Sequence, residues 1–383
     1  MDYYLNVAST DSSPTQVLYL TPYSKAGPVH GGKIRANQIS KILASLDPNL
    51  EIIALGDRDF SPRPLRFDLN GISQAVVGDL EMLHRNYEVS EKNYSNLKIV
   101  VFEQPWCWNE VKEVKRKYPN VKIIYSAQNI EFQLKDKILL NYLGDRSKSI
   151  IGEIRNLEIE IAKTVDRVVV VSEHDRDWYS QFTQKTILAP NGAVKRNNVP
   201  DQGAESDLSS ALIVGSAHPP NIEGCLKFLS DVDLWIPPNS RIVIAGSLAA
   251  ALSGPWGNLR NRWGDICVQL IPEVSDIELG VLLEKCKVIL LPIPYGGGTN
   301  LKSAEALVAG RPIVASPQSF RGFEHYTEDP LVKIAETVLE FKIFTIARLI
   351  GKRIPTKDRD ITKILWDSTL DSLANSFQEL IND

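Results

Sequence analysis

Short apolar runs alternate with amphipathic stretches along the whole chain. Val17–Leu20 (VLYL) is short, branched and aromatic and stops at Thr21-Pro22, which predicts a buried strand. A glycine-containing loop through Gly31-Gly32 follows. Ile34, Ile39, Ile42, Leu43 and Leu46 then recur at spacings near three and four and predict a helix. Glu51–Leu55, Leu97–Glu103 and Val121–Ser126 predict further strands, and Asn109–Tyr118 predicts a helix closed by Pro119-Asn120. Asp166–Ser172 (DRVVVVS) is apolar without alternation, as a strand covered on both faces requires. Thr186–Pro190 leads into the turn Asn191-Gly192.

Residues 196–208 (RNNVPDQGAESDL) are polar, hold Pro and Gly, and predict a linker. The pattern then restarts. Ala211–Val214, Arg241–Ala245, Cys267–Leu270, Val288–Leu291 and Pro312–Ala315 predict strands, and Asn221–Leu229 and Leu301–Val308 predict helices. Asp360–Ile381, with Ile364, Leu365, Leu370, Leu373, Phe377 and Leu380 near helical spacing, predicts a terminal helix. Continuous apolar strands alternating with helices predict an α/β fold with two Rossmann-like, doubly wound parallel-sheet domains. The expected domains are residues 1–196 and 197–358, with a helix over 359–383 returning to the first domain.

A length of 383 residues suits two such domains. The net charge of -4, from 43 basic and 47 acidic residues, lacks the basic excess of a nucleic-acid binder. It leaves room for a local basic patch at an anionic membrane surface. Cys107, Cys225, Cys267 and Cys286 show neither CxxC spacing nor a His at ligand spacing, so no disulfide framework or zinc site is expected and a reducing cytoplasm fits best. Met1–Pro14 lacks the apolar stretch of a signal peptide, and no window approaches the roughly 20 apolar residues of a membrane span.

The strongest local signal is Leu291–Val314 (LPIPYGGGTNLKSAEALVAGRPIV). Gly296, Gly297 and Gly298 let the backbone turn sharply and approach a ligand. Thr299 and Asn300 suit the N-cap of the helix that follows. A helix start after a glycine-rich turn presents unpaired N–H groups and partial positive charge to a phosphate. Lys302 adds a full charge in the first turn. Glu305 shares its helical face, about 5–6 Å away, where a carboxylate suits sugar hydroxyls. A tight turn beside a solvated ion pair is the bland alternative. The segment is neither a P-loop nor GxGxxG after the first strand, and the lack of GxGxxG after Val17–Leu20 argues against a nicotinamide dehydrogenase.

This stretch resembles the donor-binding segment of family-4 (GT4-like) glycosyltransferases of the GT-B fold, GxGT-x-x-K-x-x-EALA-x-G-x-PVV. The resemblance continues in order through Gly31-Gly32, Ile124–Glu131 (IYSAQNIE), Glu158–Ser172, Ala189–Gly192 (APNG), Ala211–Asn221 (ALIVGSAHPPN) and Ile271–Leu283, over roughly residues 17–325. It implies two domains facing across a cleft. Lys302 would contact the diphosphate and Glu305 the ribose, with Gly298, Thr299, Asn300 and Leu301 around them. Gly215 and Ser216 would approach the phosphates, Val274 would frame the base in a loop, and Gly31 and Gly32 would lie near acceptor and donor phosphate.

The implied activity is that of a retaining hexosyltransferase, moving sugar from a UDP- or GDP-linked donor to a glycan, lipid-linked or small acceptor in polysaccharide or glycoconjugate synthesis. It would need no cofactor or metal, and would work in the cytoplasm or peripherally on the inner membrane face. Two positions depart from the pattern. Gly297 replaces the first Glu of the family's pair, and Gln128 replaces the His of H-N-x-E. Gln hydrogen-bonds a hydroxyl or carbonyl but carries no proton; Gln128 is taken with Lys302 and Glu305 as the catalytic set. These departures keep a non-catalytic sugar-nucleotide binder and a nucleotide-sugar epimerase open as alternatives. Trp106 and Trp108 suit an acceptor-stacking wall or core packing equally. Glu103 suits a site or a structural carboxylate, His30 and His218 a ligand contact or a cap, and Arg321 a ligand anion or a cap.

Overall fold

The computed structural model describes residues 14–24, 30–57, 74–83, 93–195, 209–253, 267–352, 354 and 360–382. The linker predicted at 196–208 lies outside them. Contacts divide the chain into two compact units, Met1–Pro190 with Thr369–Asp383, and Asn191–Ser368.

The first unit is built on six parallel strands: β1 (Val17–Thr21), β2 (Glu51–Ala54), β3 (Ile99–Glu103), β4 (Lys122–Ser126), β5 (Arg167–Val170) and β6 (Thr186–Leu188), in the order β2-β1-β3-β4-β5-β6. The helices are α1 (Gly31–Leu46), α2 (Gln74–Leu83), α3 (Trp108–Lys117), α4 (Glu131–Leu143), α5 (Ser147–Thr164) and α6 (Glu173–Tyr179). β1 and β3 are buried throughout, which explains apolar runs without alternation. The β1–β3 pairing, Val17 opposite Ile99 and Leu20 opposite Phe102, brings the carboxyl ends of both strands to one edge. The strand order reverses at this edge, where doubly wound sheets form ligand crevices.

The second unit repeats the plan with β7 (Ser209–Val214), β8 (Ser240–Ala245), β9 (Val268–Ile271), β10 (Val288–Leu291), β11 (Ile313–Ala315) and β12 (Val332–Ile334), in the order β12-β11-β10-β7-β8-β9. Its helices are α7 (Pro219–Phe228), α8 (Val232–Trp235), α9 (Ser247–Ser253), α10 (Asp276–Lys285), α11 (Leu301–Val308), α12 (Val338–Ile350) and α13 (Trp366–Thr369). One face of this sheet packs with Cys225, Phe228, Ile242 and Phe341, the other with Leu212, Ile289, Leu307 and Phe320. All pairings in both sheets are parallel.

Several local expectations change. Gly31-Gly32 is the first turn of α1, because the His30 imidazole caps the helix by accepting from the Lys33 N–H. The segment resembling a loop over Ile271–Leu283 is mostly α10, because Ser275 and Glu278 form a reciprocal capping box that starts a helix there. The terminal helix is interrupted: a single turn at Thr362–Ile364 and the short α13 precede α14 (Asp371–Asn382). The break falls at Leu365, where a β-bridge with Ala193 takes the Ile364 carbonyl and the Trp366 N–H out of helical bonding. β12 and α12 lie where the periodicity predicts neither. α12 carries apolar residues on two faces, Phe341 and Leu349 buried and Leu339 and Ile343 exposed.

Candidate functional site

In the second unit the site grows from the exit of β10. Pro292 and Pro294 cannot extend the strand ladder, and Gly298 takes a φ of 55°, turning the chain toward α11. Asn300 occupies the N-cap of α11, yet its side chain makes no capping bond. Its amide donates instead to Ser303 Oγ and the Ser319 carbonyl, each at 2.8 Å. The Ser303 N–H bonds back to the Asn300 carbonyl at 3.0 Å, and the first turn receives no side-chain acceptor from the cap. Thr299 braces the turn, its Oγ1 accepting from the Asn191 N–H at 3.3 Å, and Leu301 is buried beneath it.

Lys302 stands in that first turn, half-buried, its stem lining a pocket with Val214, Asn221, Cys225, Leu248 and Ile293. Burial lowers its pKa, Glu305 on the same face pulls it back up, and Arg321 depresses it further. Among the described residues no hydrogen bond or ion pair holds the Lys302 ammonium. Arg321 comes from the segment after β11. Its Nε donates to the Gly297 carbonyl at 2.8 Å, and its guanidinium lies where a Cβ on Gly296 would be 2.5 Å from Cζ. Two cations thus converge on one glycine turn at a helix N-terminus, with Glu305 as the carboxylate beside them. This is the electrostatics of a site for a polyanion bearing hydroxyls.

The residues resembling a second phosphate loop are engaged differently. The Gly215 N–H donates to the Ala245 carbonyl at 3.0 Å and its carbonyl accepts from Leu248, so this amide is spent extending the sheet. The Ser216 carbonyl accepts from the Asn221 side chain at 2.9 Å. Val274 packs on the apolar cluster of Leu212 and Leu307.

In the first unit, the carboxyl ends of β1, β3 and β4 gather a polar network that the sequence only hints at. Glu103 ends the apolar run IVVFE and is completely buried. It accepts from Tyr19 Oη at 3.0 Å and from Gln128 Nε2 at 2.6 Å. Burial raises its pKa, while the buried Arg35 guanidinium and these donors lower it. Gln128 also donates to the Gly32 carbonyl at 3.2 Å and accepts from Tyr23 Oη at 2.9 Å. Both ends of its amide are held by the protein. Gly32 has to be glycine: a Cβ there would lie 2.2 Å from Tyr23 Oη and 2.6 Å from Gln128 Oε1.

Gln104 follows Glu103 with a φ of 64°, unusual for a side chain with a Cβ. Its Nε2 donates to Tyr23 Oη at 3.2 Å, and its buried Oε1 has no partner. Tyr19, Tyr23, Arg35 and Gln104 escape sequence reasoning. The one available signal is a charged residue terminating an otherwise apolar strand. Trp106 and Trp108 resolve as core: both are buried, with Trp108 stacked 5.7 Å from Phe102 and donating to Glu160. Among the described residues no cluster of three or more His, Cys, Asp or Glu could hold a metal ion, and no helix is long and apolar enough to cross a membrane.

Two six-stranded parallel sheets, each with a cluster of polar and charged side chains beyond its strands' carboxyl ends, are an architecture that solved structures share. A sucrose-phosphate synthase from Thermosynechococcus elongatus matches with a TM-score of 0.67 at 16% identity, over 96% of this chain and 100% of that one. A UDP-forming α,α-trehalose-phosphate synthase from Burkholderia xenovorans, in complex with glucose-6-phosphate, matches at 0.62 and 11% over 96% and 100%. Anabaena HepE in complex with UDP and glucose matches at 0.56 and 12% over 96% and 98%. No family model and no curated protein sequence matches the chain. The chain has the GT-B fold of glycosyltransferases.

Proposed function

We propose that the chain is a retaining glycosyltransferase that moves a hexose-type sugar from a UDP- or GDP-linked donor to a glycan, lipid-linked or small acceptor. The observation that carries this reading is the Lys302 ammonium, desolvated at a helix N-terminus beside a second cation and without a protein acceptor among the described residues. A leaving nucleoside diphosphate gains charge in the transition state, and donors already aimed at that charge lower the barrier. Lys302, Arg321 and the first-turn amides of α11 supply them, and Glu305 holds the ribose. Structural neighbours in complex with UDP and glucose and with glucose-6-phosphate support the ligand class.

In this reading no metal or cofactor is required. Gln128 acts in the first unit as a positioning residue, ordering Gly32 and Tyr23 for the acceptor, because its own amide is engaged at both ends. That engagement is also what favours the rival reading, a sugar-nucleotide binder without transferase activity. Synthesis of a surface polysaccharide or glycoconjugate at the cytoplasmic face of a membrane is the setting that suits the proposed acceptors.

Thermal shift with UDP, GDP, TDP and ADP tests the site, since a ligand of the folded state stabilises it by RT ln(1 + [L]/Kd). One diphosphate should stand out, and its stabilisation should vanish in Lys302→Ala. No response to any of them removes the donor site. Binding with neither transfer nor hydrolysis across a donor panel favours the binder.

A further inference from the structure

The turn that leads to Lys302 and the segment that carries Arg321 are pinned to each other at both ends of the turn. At the exit of β10, Ser319 Oγ donates to the Leu291 carbonyl and Ser316 Oγ to the Ile293 carbonyl, each at 2.5 Å. At the start of α11, Asn300 ties the other end. Its side-chain amide donates to the Ser319 carbonyl at 2.8 Å, and its backbone N–H donates to the Arg321 carbonyl at 3.3 Å. Asn300, Ser316 and Ser319 are at most 4% exposed, so these bonds are shielded from competition with water.

The two segments also meet at backbone distance. Gly322, at a φ of 81°, packs against Thr299, where a Cβ would lie 2.2 Å from Thr299 Cγ2. Arg321 Nε closes the frame on the Gly297 carbonyl at 2.8 Å. Asn300 stands two residues before Lys302 and bonds both Arg321 and Ser319, two residues before Arg321. A residue of good capping type thus spends its side chain on a neighbouring segment as well as on Ser303, and none of it on capping its own helix.

We infer, on the basis of the donor site proposed above, that Asn300 is a positioning residue: it fixes the spacing of Lys302 and Arg321 so that the pair engages both phosphates of the donor. Telling two phosphates from one needs a second cation held at a set distance from the first, because a charge-assisted hydrogen bond weakens as its geometry drifts. Lys and Arg side chains already lose rotamer freedom on binding a ligand. A frame that is rigid beforehand confines the ordering cost to those two side chains and spares the backbone beneath them. If Asn300 served the fold alone, its removal would weaken every ligand of the site alike.

Calorimetric titration of the full chain with UDP, UMP and uridine tests the spacing, with GDP, GMP and guanosine in their place if GDP is the diphosphate that stabilises wild type. Wild type should prefer the diphosphate to the monophosphate by about tenfold or more. Asn300→Ala should shrink that preference by about threefold or more and leave nucleoside binding unchanged. Asn300→Ser keeps a capping hydroxyl on α11 while dropping the bridge; it should behave alike, and it replaces alanine if that variant unfolds. In an Arg321→Met background, Asn300→Ala should change the preference hardly at all, since the second cation whose distance it sets is gone. A wild type that binds neither diphosphate removes the donor site and this role for Asn300 with it. A wild type that binds one overturns the role of Asn300 alone if its variants keep the wild-type preference, or if the Asn300 and Arg321 effects on that preference simply add.

Discussion

Glu103, the last residue of β3, and Lys302, in the helix that follows β10, are both desolvated charges on the carboxyl side of a central parallel strand, one in each unit, and the fold treats them in opposite ways. Glu103 is enclosed by donors: Tyr19 and Gln128 hydrogen-bond it, and Arg35 offsets its charge. Lys302 has Glu305 on its face but a second cation, Arg321, nearby, and no bond to its ammonium among the described residues. A buried charge whose partners belong to the fold is part of the structure. One whose partner is absent from the fold costs stability and marks where a ligand completes the electrostatics.

The largest effect should come from breaking the enclosed charge. Glu103→Ala leaves the buried Arg35 guanidinium without its offsetting charge and takes one acceptor each from Tyr19 and Gln128, and should destabilise the first unit by about 3–5 kcal/mol in denaturant unfolding. Lys302→Met should do the reverse. It should leave stability within about 1 kcal/mol of wild type, since an unsatisfied cation gives way to an apolar chain of similar length. Diphosphate binding should fall by ~1.5–3 kcal/mol, more than tenfold, with nucleoside binding hardly changed. Calorimetric titration with the diphosphate and the bare nucleoside separates the two. If Lys302→Met unfolds the second unit, or Glu103→Ala does not touch the first, the contrast fails.

The two sites differ equally in how far the sequence discloses them. The donor segment is local: three glycines, Lys302 and Glu305 lie within ten residues, so their meeting needs only the geometry of a turn and one helix. The Glu103 network is assembled from Tyr19, Tyr23, Gly32, Arg35, Gln104 and Gln128, which meet only because β1, β3 and β4 are neighbours. No spacing rule connects residues about a hundred positions apart. Strand periodicity was legible because parallel strands buried on both faces leave continuous apolar runs. Helix α12 was not, because its outer stripe makes it apolar on two sides. Asn300 could be placed at a cap from its residue type, but not its capture by the Ser319 carbonyl, a contact between segments 19 residues apart.

A third buried charge asks whether placement rather than charge sets the outcome. Glu158 on α5 accepts from the Glu131 and Phe132 N–H groups at the start of α4 and from Tyr179 Oη. Burial nevertheless pushes its carboxyl up to about 8, against the pull of the Phe132 amide, with the nearby Glu131 carboxylate adding to the rise. The folded state then keeps a proton that the unfolded chain has lost above its ordinary value of 4.5. Its contribution is complete below that value and is lost as pH rises through about 8. The melting temperature should therefore decline across this window, by at most about 1.4 kcal/mol of stability per pH unit, and Glu158→Gln should flatten the decline. An unchanged slope in the variant would assign the pH dependence to other groups.

The smallest effect is the most diagnostic of how the first unit holds its site. Gln104 keeps a φ of 64° that a glycine would adopt without strain, and its side chain donates to Tyr23 Oη and, at 3.4 Å, to Gln128 Oε1. Gln104→Ala retains the backbone strain and discards both hydrogen bonds. Gln104→Gly discards the same bonds but releases strain of order 1 kcal/mol, partly offset by the greater freedom of the unfolded chain. At an ordinary position alanine is the more stabilising of the two. Here the order should invert, with the glycine variant ahead of alanine by up to about 1 kcal/mol in paired denaturant curves. The inversion would show that the strand end is held in its strained turn by the network around Glu103, as the turn in the second unit need not be, since Gly298 already fills its positive-φ position. Alanine ahead of glycine would mean that position 104 carries no strain and that the polar network merely fills space.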